Sequence, residues 1–224
     1  VATPLTETGV ITRATRLRAQ LLGARFYGIL DLGYVPIHAA LDVAAQMAEG
    51  GVQIIQLRAK DVPLLKLKPL ALAMRWLLQE KNVLYIVNDH IALAREVEAD
   101  GVHIGQEDGM VLDARRLLHR WQLIGKSTHS LAQAVQTAAE KPDYIAVGPI
   151  FATPTKPDYT PVGLELIGRV AARVTLPQFC IGGINLGNLD AVLTAGATRV
   201  VMVSAILQNR AIAGYCRLVR QRLG

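Results

Sequence analysis

Short apolar runs alternate with amphipathic stretches along the whole chain, and the runs break off in polar or glycine residues. Strand-like segments are expected near 26–30, 52–57, 83–87, 101–104, 122–125, 144–148, 178–181 and 199–203. Helix-period patterns fill the gaps, at 37–49, 63–80, 90–97, 111–119, 130–140, 163–173, 188–195 and 205–221. Strands of four to six residues, each followed by a helix-length stretch, are how parallel βαβ units are written in sequence. Eight such units predict an α/β fold, a closed (β/α)8 barrel of the TIM type. A flavodoxin-like open sheet ordinarily has five or six units. An extra N-terminal helix near 13–23 precedes the first strand and is expected to cap the barrel floor. The division is therefore residues 1–24 as a helical extension and 25–224 as a single barrel domain. Pro69 falls inside the second helical pattern, so a kink there or a start at Lys68 is expected.

A chain of 224 residues is enough for one such barrel and its core. No apolar run reaches the roughly 18 residues that span a bilayer, and the first twenty residues lack the apolar core of a secretory signal. The chain begins with Val1 and reads as a piece trimmed from something longer. Cys180 and Cys216 lie far apart without metal-ligand spacing, which points to a reduced, cytoplasmic protein. The net charge is +6, with the excess at the two ends. Arg13, Arg16, Arg18 and Arg25 stand against Glu7 at one end, and Arg210, Arg217, Arg220 and Arg222 have no acid beside them at the other. Sparse aromatics and terminal placement argue for solvated helix faces over a nucleic-acid surface. No membrane and no nucleic-acid partner are expected.

In a β/α barrel the loops after the strands build the active site, so the polar motifs that end the runs converge on one mouth. Asn88 and Asp89 follow the third run, and Asp108 follows the fourth through a short loop. Adjacent strands end side by side, which lets Asp89 and Asp108 meet. Two oxygen ligands without nearby His or Cys suit a hard ion such as Mg²⁺, which takes the rest of its shell from water and phosphate. The competing reading is that Asp89 caps the helix after it. QLRAKD at 56–61 places Gln56 and Arg58 on one strand face and Leu57 on the other, with Lys60 beyond. These cations either pair with the carboxylates or hold an anion. Gly182–Gly183 after the seventh run and Val203–Ser204 after the eighth occupy the usual phosphate position of such barrels. The loop GPIFATPTKPDYTPVG after the sixth run is long and proline-rich, and is expected to act as a lid. Ser127, after the fifth run, adds a hydroxyl. His103 reads as a satisfied buried histidine, whereas His90 and His129 receive no role. No Ser–His–Asp or Cys–His set appears, so the chemistry is expected to rest on positioning and charge stabilisation.

Taken together, QLRAK, ND, GQED, STHS, GPIFATPTK, IGGI and VSAI resemble the thiamine-phosphate synthase family in order and spacing, from about Tyr27 to Leu207. The resemblance implies a transferase of thiamine biosynthesis with two phosphorylated small-molecule substrates. It would join a hydroxymethylpyrimidine diphosphate to a thiazole phosphate, releasing diphosphate. It assigns Gln56, Leu57, Arg58, Ala59, Lys60, Asn88, Ser127 and Lys156 to the pyrimidine diphosphate, with Ser127 and Lys156 as catalytic residues. Asp89 and Asp108 would hold Mg²⁺. Thr153, Pro154, Thr155, Gly183, Val203 and Ser204 would hold the thiazole phosphate. The family order of events, diphosphate leaving before the thiazole nitrogen attacks, agrees with a site that offers cations and no nucleophile. The alternatives are a thiazole tautomerase-like paralogue and a non-catalytic barrel that binds phosphorylated ligands. Neither requires the metal carboxylates. A barrel phosphosugar isomerase would want a proton-transfer pair, and none stands out.

Overall fold

The computed structural model describes residues 7–153 and 159–224, with side chains described from Arg13 onward. Its strands are β1 (Phe26–Asp31), β2 (Ile54–Arg58), β3 (Leu84–Asn88), β4 (Gly101–Ile104), β5 (Leu123–Thr128), β6 (Tyr144–Val147), β7 (Gln178–Cys180) and β8 (Val200–Met202). They pair in sequence order, all parallel, and β8 closes on β1. The expected eight-unit barrel is what the chain forms. The helices are α1 (Glu7–Gly23), α2 (Ala40–Glu49), α3 (Leu64–Glu80), α4 (Ile91–Glu96), α5 (Val111–Leu117), α6 (Leu131–Ala139), α7 (Glu165–Ala171), α8 (Leu189–Thr194), α9 (Ser204–Leu207) and α10 (Ile212–Leu223). Among the described residues no helix is long and apolar enough to cross a membrane.

Side-chain alternation along the strands divides the core in two. Inward positions Tyr27, Ile29, Ile54, Leu84, Ile86, Leu123, Tyr144, Phe179 and Val201 fill the barrel. Outward positions such as Leu30, Ile55, Leu57, Val87, Val102 and Ile124 pack against the helices. Gly125 makes room for the Tyr144 ring: a Cβ there would lie 2.0 Å from its ring carbon Cζ. α1 closes the bottom, with Leu17, Leu21 and Ala24 in the same interior cluster as the inward strand residues.

Three sequence expectations are modified. The terminal arginines are not simply solvated. Arg18 binds Asp143 at 3.0 Å, Arg13 lies 3.2 Å over the Trp121 ring, and Arg25 donates to the Gly224 carbonyl at 3.1 Å. Those charges tie both termini to the barrel floor. The helix expected over 205–221 is two helices, because the Asn209 side chain accepts from the Ala211 N–H at 2.9 Å and turns the chain. α3 begins at Leu64 and runs through Pro69. The residue whose carbonyl that proline leaves without its helical donor is Leu65, which is 88% exposed and open to water.

Candidate active site at the barrel mouth

β5 runs three residues beyond the expected end at Gly125, so Ser127 lies within the strand rather than after it. Its register, Ser127 beside Ala146 of β6, makes it an inward residue near the top of the barrel. The ladder persists through polar residues because each finds a partner. Thr128 donates to the Ala146 carbonyl, and the Lys126 ammonium reaches Glu140 on the outer face.

A cavity at the C-terminal ends of the strands is lined by Gln56, Arg58, Asn88, Ser127, Thr153, Gly183, Val203 and Ser204. Residues separated by up to about two-thirds of the chain thus share one space. Leu57 and Ala59 face the other way, into the packing between sheet and helices. Their contribution at this mouth is limited to backbone. Lys60 is exposed at the rim, beside a neighbouring depression that also contains Arg58 and Asp61. Pro154, Thr155 and Lys156 lie outside the described residues.

Arg58 pairs with Asp31, its register partner on β1, and Asp31 is nearly fully buried. The Gly33 N–H also donates to Asp31 at 2.9 Å. One edge of the Arg58 guanidinium is thereby committed to a fixed carboxylate, which sets the orientation of its fork.

Asp89 follows β3 with φ +59°, a left-handed backbone that Asp tolerates better than most residues. Its N–H donates to the His103 carbonyl of β4 at 2.9 Å, carrying the chain toward the neighbouring loop. There its carboxyl comes within hydrogen-bonding reach of Asp108. Burial first, and then the Asp108 charge, push the Asp89 carboxyl up to about 6, while Lys60 favours its ionised form. The N-cap of α4 is His90, with no side-chain capping bond, so capping is not what occupies Asp89. The Asp108 carboxylate accepts from the Gly105 N–H at 2.7 Å, which folds the β4–α5 loop upon itself. No cluster of three or more His, Cys, Asp or Glu suited to a metal occurs among the described residues. The oxygen pair is the arrangement a hydrated hard cation accepts, since such an ion keeps waters and takes phosphate oxygens.

On the opposite side, the Gly183 carbonyl is held by the side-chain amides of Asn188 at 2.9 Å and Asn185 at 3.2 Å. Because the peptide is trans, this turns the Ile184 N–H the other way. Gly183 has φ +65°, and a Cβ there would lie 2.5 Å from the Ala152 carbonyl oxygen. The glycine is therefore needed for contact with the loop after β6, a reason the sequence reading did not contain. Val203 precedes α9 and Ser204 opens it.

Beneath the cavity runs a string of side chains that the motif reading missed. Gln56 donates to the Tyr27 hydroxyl at 2.6 Å, and Tyr27 meets the Tyr144 hydroxyl at 3.1 Å. Tyr144 meets His103 Nδ1 at 3.2 Å, and His103 Nε2 meets Ser127 Oγ at 2.9 Å. His103 is thus the satisfied buried histidine expected, and it also orients a cavity hydroxyl. Parity was the available signal: Gln56, His103 and Ser127 are all inward positions near strand ends. His129 Nδ1 lies 2.6 Å from the Gly148 carbonyl, which requires the proton on Nδ1 and turns Nε2 away from that bond. Its ring packs 4.9 Å from Tyr159 at the far end of the long loop.

Residues 26–206 match the family described as thiamine monophosphate synthase. The chain is 41% identical over 191 residues to the thiamine-phosphate synthase of Gloeobacter violaceus, an alignment spanning 85% of this chain and 55% of that longer relative. It is 43% identical over 203 residues to the thiamine-phosphate synthase of Pelotomaculum thermopropionicum, covering 89% of this chain and 92% of the relative. Among solved structures, thiamine phosphate pyrophosphorylase from Pyrococcus furiosus superposes with a TM-score of 0.83 at 29% identity, over 92% of this chain and 97% of that one. With the motifs assembled at one barrel mouth and that match running from β1 into α9, this chain belongs to the thiamine-phosphate synthase family of enzymes.

Proposed function

We propose that this chain joins a hydroxymethylpyrimidine diphosphate to a thiazole phosphate, giving thiamine phosphate and diphosphate. The observation that carries the proposal is the opposition of two groups of polar residues across the barrel mouth, since β3 and β4 lie opposite β7 and β8 in the closed order. Asp89 and Asp108 follow β3 and β4, with Ser127 on β5 and Lys60 at the rim after β2. The Gly183 turn and Val203–Ser204 follow β7 and β8 and line the cavity with Ser127.

Asp89 and Asp108 would hold Mg²⁺, which when bound neutralises charge on the diphosphate. The remaining roles fall to the chain. Arg58, fixed by Asp31, directs its free edge toward the same anion, and Lys60 adds a mobile charge at the rim. Ser127, oriented by His103, donates to the departing group. Lys156 is assigned to that group by its place in the TPTK motif. Asn88 and Gln56 present amides to the pyrimidine half. Backbone N–H groups around Gly183 and Ser204, with the Ser204 hydroxyl and Thr153, receive the thiazole phosphate. Among the described residues no side chain is placed as a nucleophile, and the charges gathered for the leaving group favour departure of diphosphate before attack by the thiazole nitrogen. Both cysteines are buried free thiols, in keeping with a cytoplasmic place for the reaction.

The test is to mix both substrates with the protein and MgCl2 and to follow thiamine phosphate by chromatography. Product should require both substrates and the cation. Absence of product from folded protein under those conditions, or turnover of the thiazole phosphate alone, overturns the assignment.

A further inference from the structure

The Asp108 carboxylate sits on a loop, and the loop is anchored by a buried ion pair that no motif contains. Lys126 is the outward residue of β5 next to inward Ser127, and only 3% of it is exposed. Its ammonium lies 3.0 Å from one Glu140 oxygen and 3.1 Å from the other, and it donates to the Gly109 carbonyl at 3.0 Å. The same Glu140 carboxylate accepts from the Val111 N–H at 3.0 Å. The two residues therefore grip the backbone on both sides of Met110, directly after Asp108. The loop's front end is held as well: the Gln106 amide donates to the Ser127 carbonyl at 2.5 Å and to the Thr137 hydroxyl at 3.2 Å.

A buried ion pair is weak evidence for stability, because removing both charges from water costs about as much as their attraction returns. What it does supply is one definite geometry. Here that geometry belongs to the short segment after Asp108, where Gly109 has φ +114°. We propose that Lys126 and Glu140 are positioning residues for Asp108, holding its carboxylate opposite Asp89 so that a divalent cation is bound by both. The proposal rests on the reading of Asp89 and Asp108 as cation ligands. β5 then serves the site from both faces, Ser127 inside the barrel and Lys126 through the loop outside it.

The experiment is Mn²⁺ titration, followed by electron paramagnetic resonance, of the whole chain with inorganic diphosphate present. The variants are Asp108→Asn and the pair Lys126→Met with Glu140→Gln. Removing both charges together avoids leaving one buried alone. The double variant should still unfold cooperatively but bind Mn²⁺ about tenfold or more weakly, the scale typical of losing an outer-shell support. Amide exchange at Gly109 and Val111 should quicken, and kcat should recover at saturating cation, which splits metal affinity from chemistry. A folded double variant with unchanged Mn²⁺ affinity overturns the positioning role while leaving the ligand reading intact. If Asp108→Asn also binds Mn²⁺ unchanged, the cation lies elsewhere and both readings fall. Should the double variant not fold, Glu140→Asp keeps the Lys126 charge partnered but draws the carboxylate back by one methylene. A rise of about threefold in the Mn²⁺ dissociation constant is then expected, and no rise overturns the proposal.

Discussion

Asp89 carries the sharpest conflict in the molecule at the scale of a single residue. Its carboxyl is partly desolvated, faces Asp108, and is raised from 3.8 to about 6. A group that binds its proton more tightly folded than unfolded favours the fold at low pH, and that benefit is lost as pH rises through the folded value. Without a cation, this carboxyl therefore costs the fold progressively between about pH 4 and pH 6. A bound divalent ion reverses the balance above that window, since it competes with the proton for the same oxygens. MgCl2 with inorganic diphosphate should therefore raise the melting temperature clearly at about pH 7.5 and scarcely at about pH 5. Equal shifts at both pH values would mean that Asp89 is not the group displaced. Asp89→Asn should remove the pH-dependent cost, leaving the metal-free protein at least as stable as the parent near neutrality. It should also lose most activity, as EDTA should cause in the parent. Melting curves and an activity assay on the same preparation test the two halves, and full turnover in metal-free buffer would sink the ligand assignment.

Single elements are where the proposed two-sided division can be tested. The turn after β7 cannot be probed cleanly at Gly183, because a side chain there meets the Ala152 carbonyl before it meets any ligand. Gly183→Val is expected to displace the segment through Thr153 and to destabilise the chain by roughly 1–3 kcal/mol, from strain at positive φ and the clash. Ser204→Ala makes no such clash. It should raise KM for the thiazole phosphate about tenfold or more, consistent with roughly 1.5–3 kcal/mol for one hydrogen bond to a charged group. Binding of the pyrimidine diphosphate should stay within error by calorimetry, and equal weakening of both ligands would refute the two-sided division. This level also shows what a reader of the sequence can and cannot see. β1, β3, β4 and β8 are legible because apolar runs on a buried parallel sheet are continuous. Motifs at their ends are legible because strand ends in a barrel converge. Lys126 and Glu140 are not, since a lysine near a strand end and a glutamate closing a helix look like solvated surface until the loop between them is placed. The Asn209 turn was hidden by helix periodicity on both sides of it. The Tyr27–Tyr144–His103 string joins three strands, and only the barrel register puts those residues in one layer.

On the proposed reading, at the scale of the whole molecule, the charges at the mouth serve a leaving group rather than a nucleophile. Lys60 and the Asp89–Asp108 pair stand after β2, β3 and β4, and Ser127 ends the inward face of β5. The turns after β7 and β8, proposed to take the thiazole phosphate, lie across the barrel from β3 and β4. Beneath the cavity, Tyr27, Tyr144 and Phe179 pack edge to face in the closed barrel interior. Gln56, which lines the cavity, rests on that layer through the Tyr27 hydroxyl. If diphosphate departs first, positive charge builds on the pyrimidine methylene before the thiazole nitrogen reaches it. An electron-withdrawing ring substituent destabilises that charge, and each ~1.4 kcal/mol added to the barrier slows the step about tenfold. Substituted pyrimidine diphosphates should therefore bind almost normally and react far more slowly. Lys156→Ala should slow the same step more than it weakens binding, because a cation near the departing group helps most when its charge is greatest. Single-turnover kinetics over a graded series of ring substituents measures this directly. A flat rate across the series, with chemistry rate-limiting, would instead require the thiazole nitrogen to displace diphosphate in one step, and the arrangement of charge at this mouth would need another explanation.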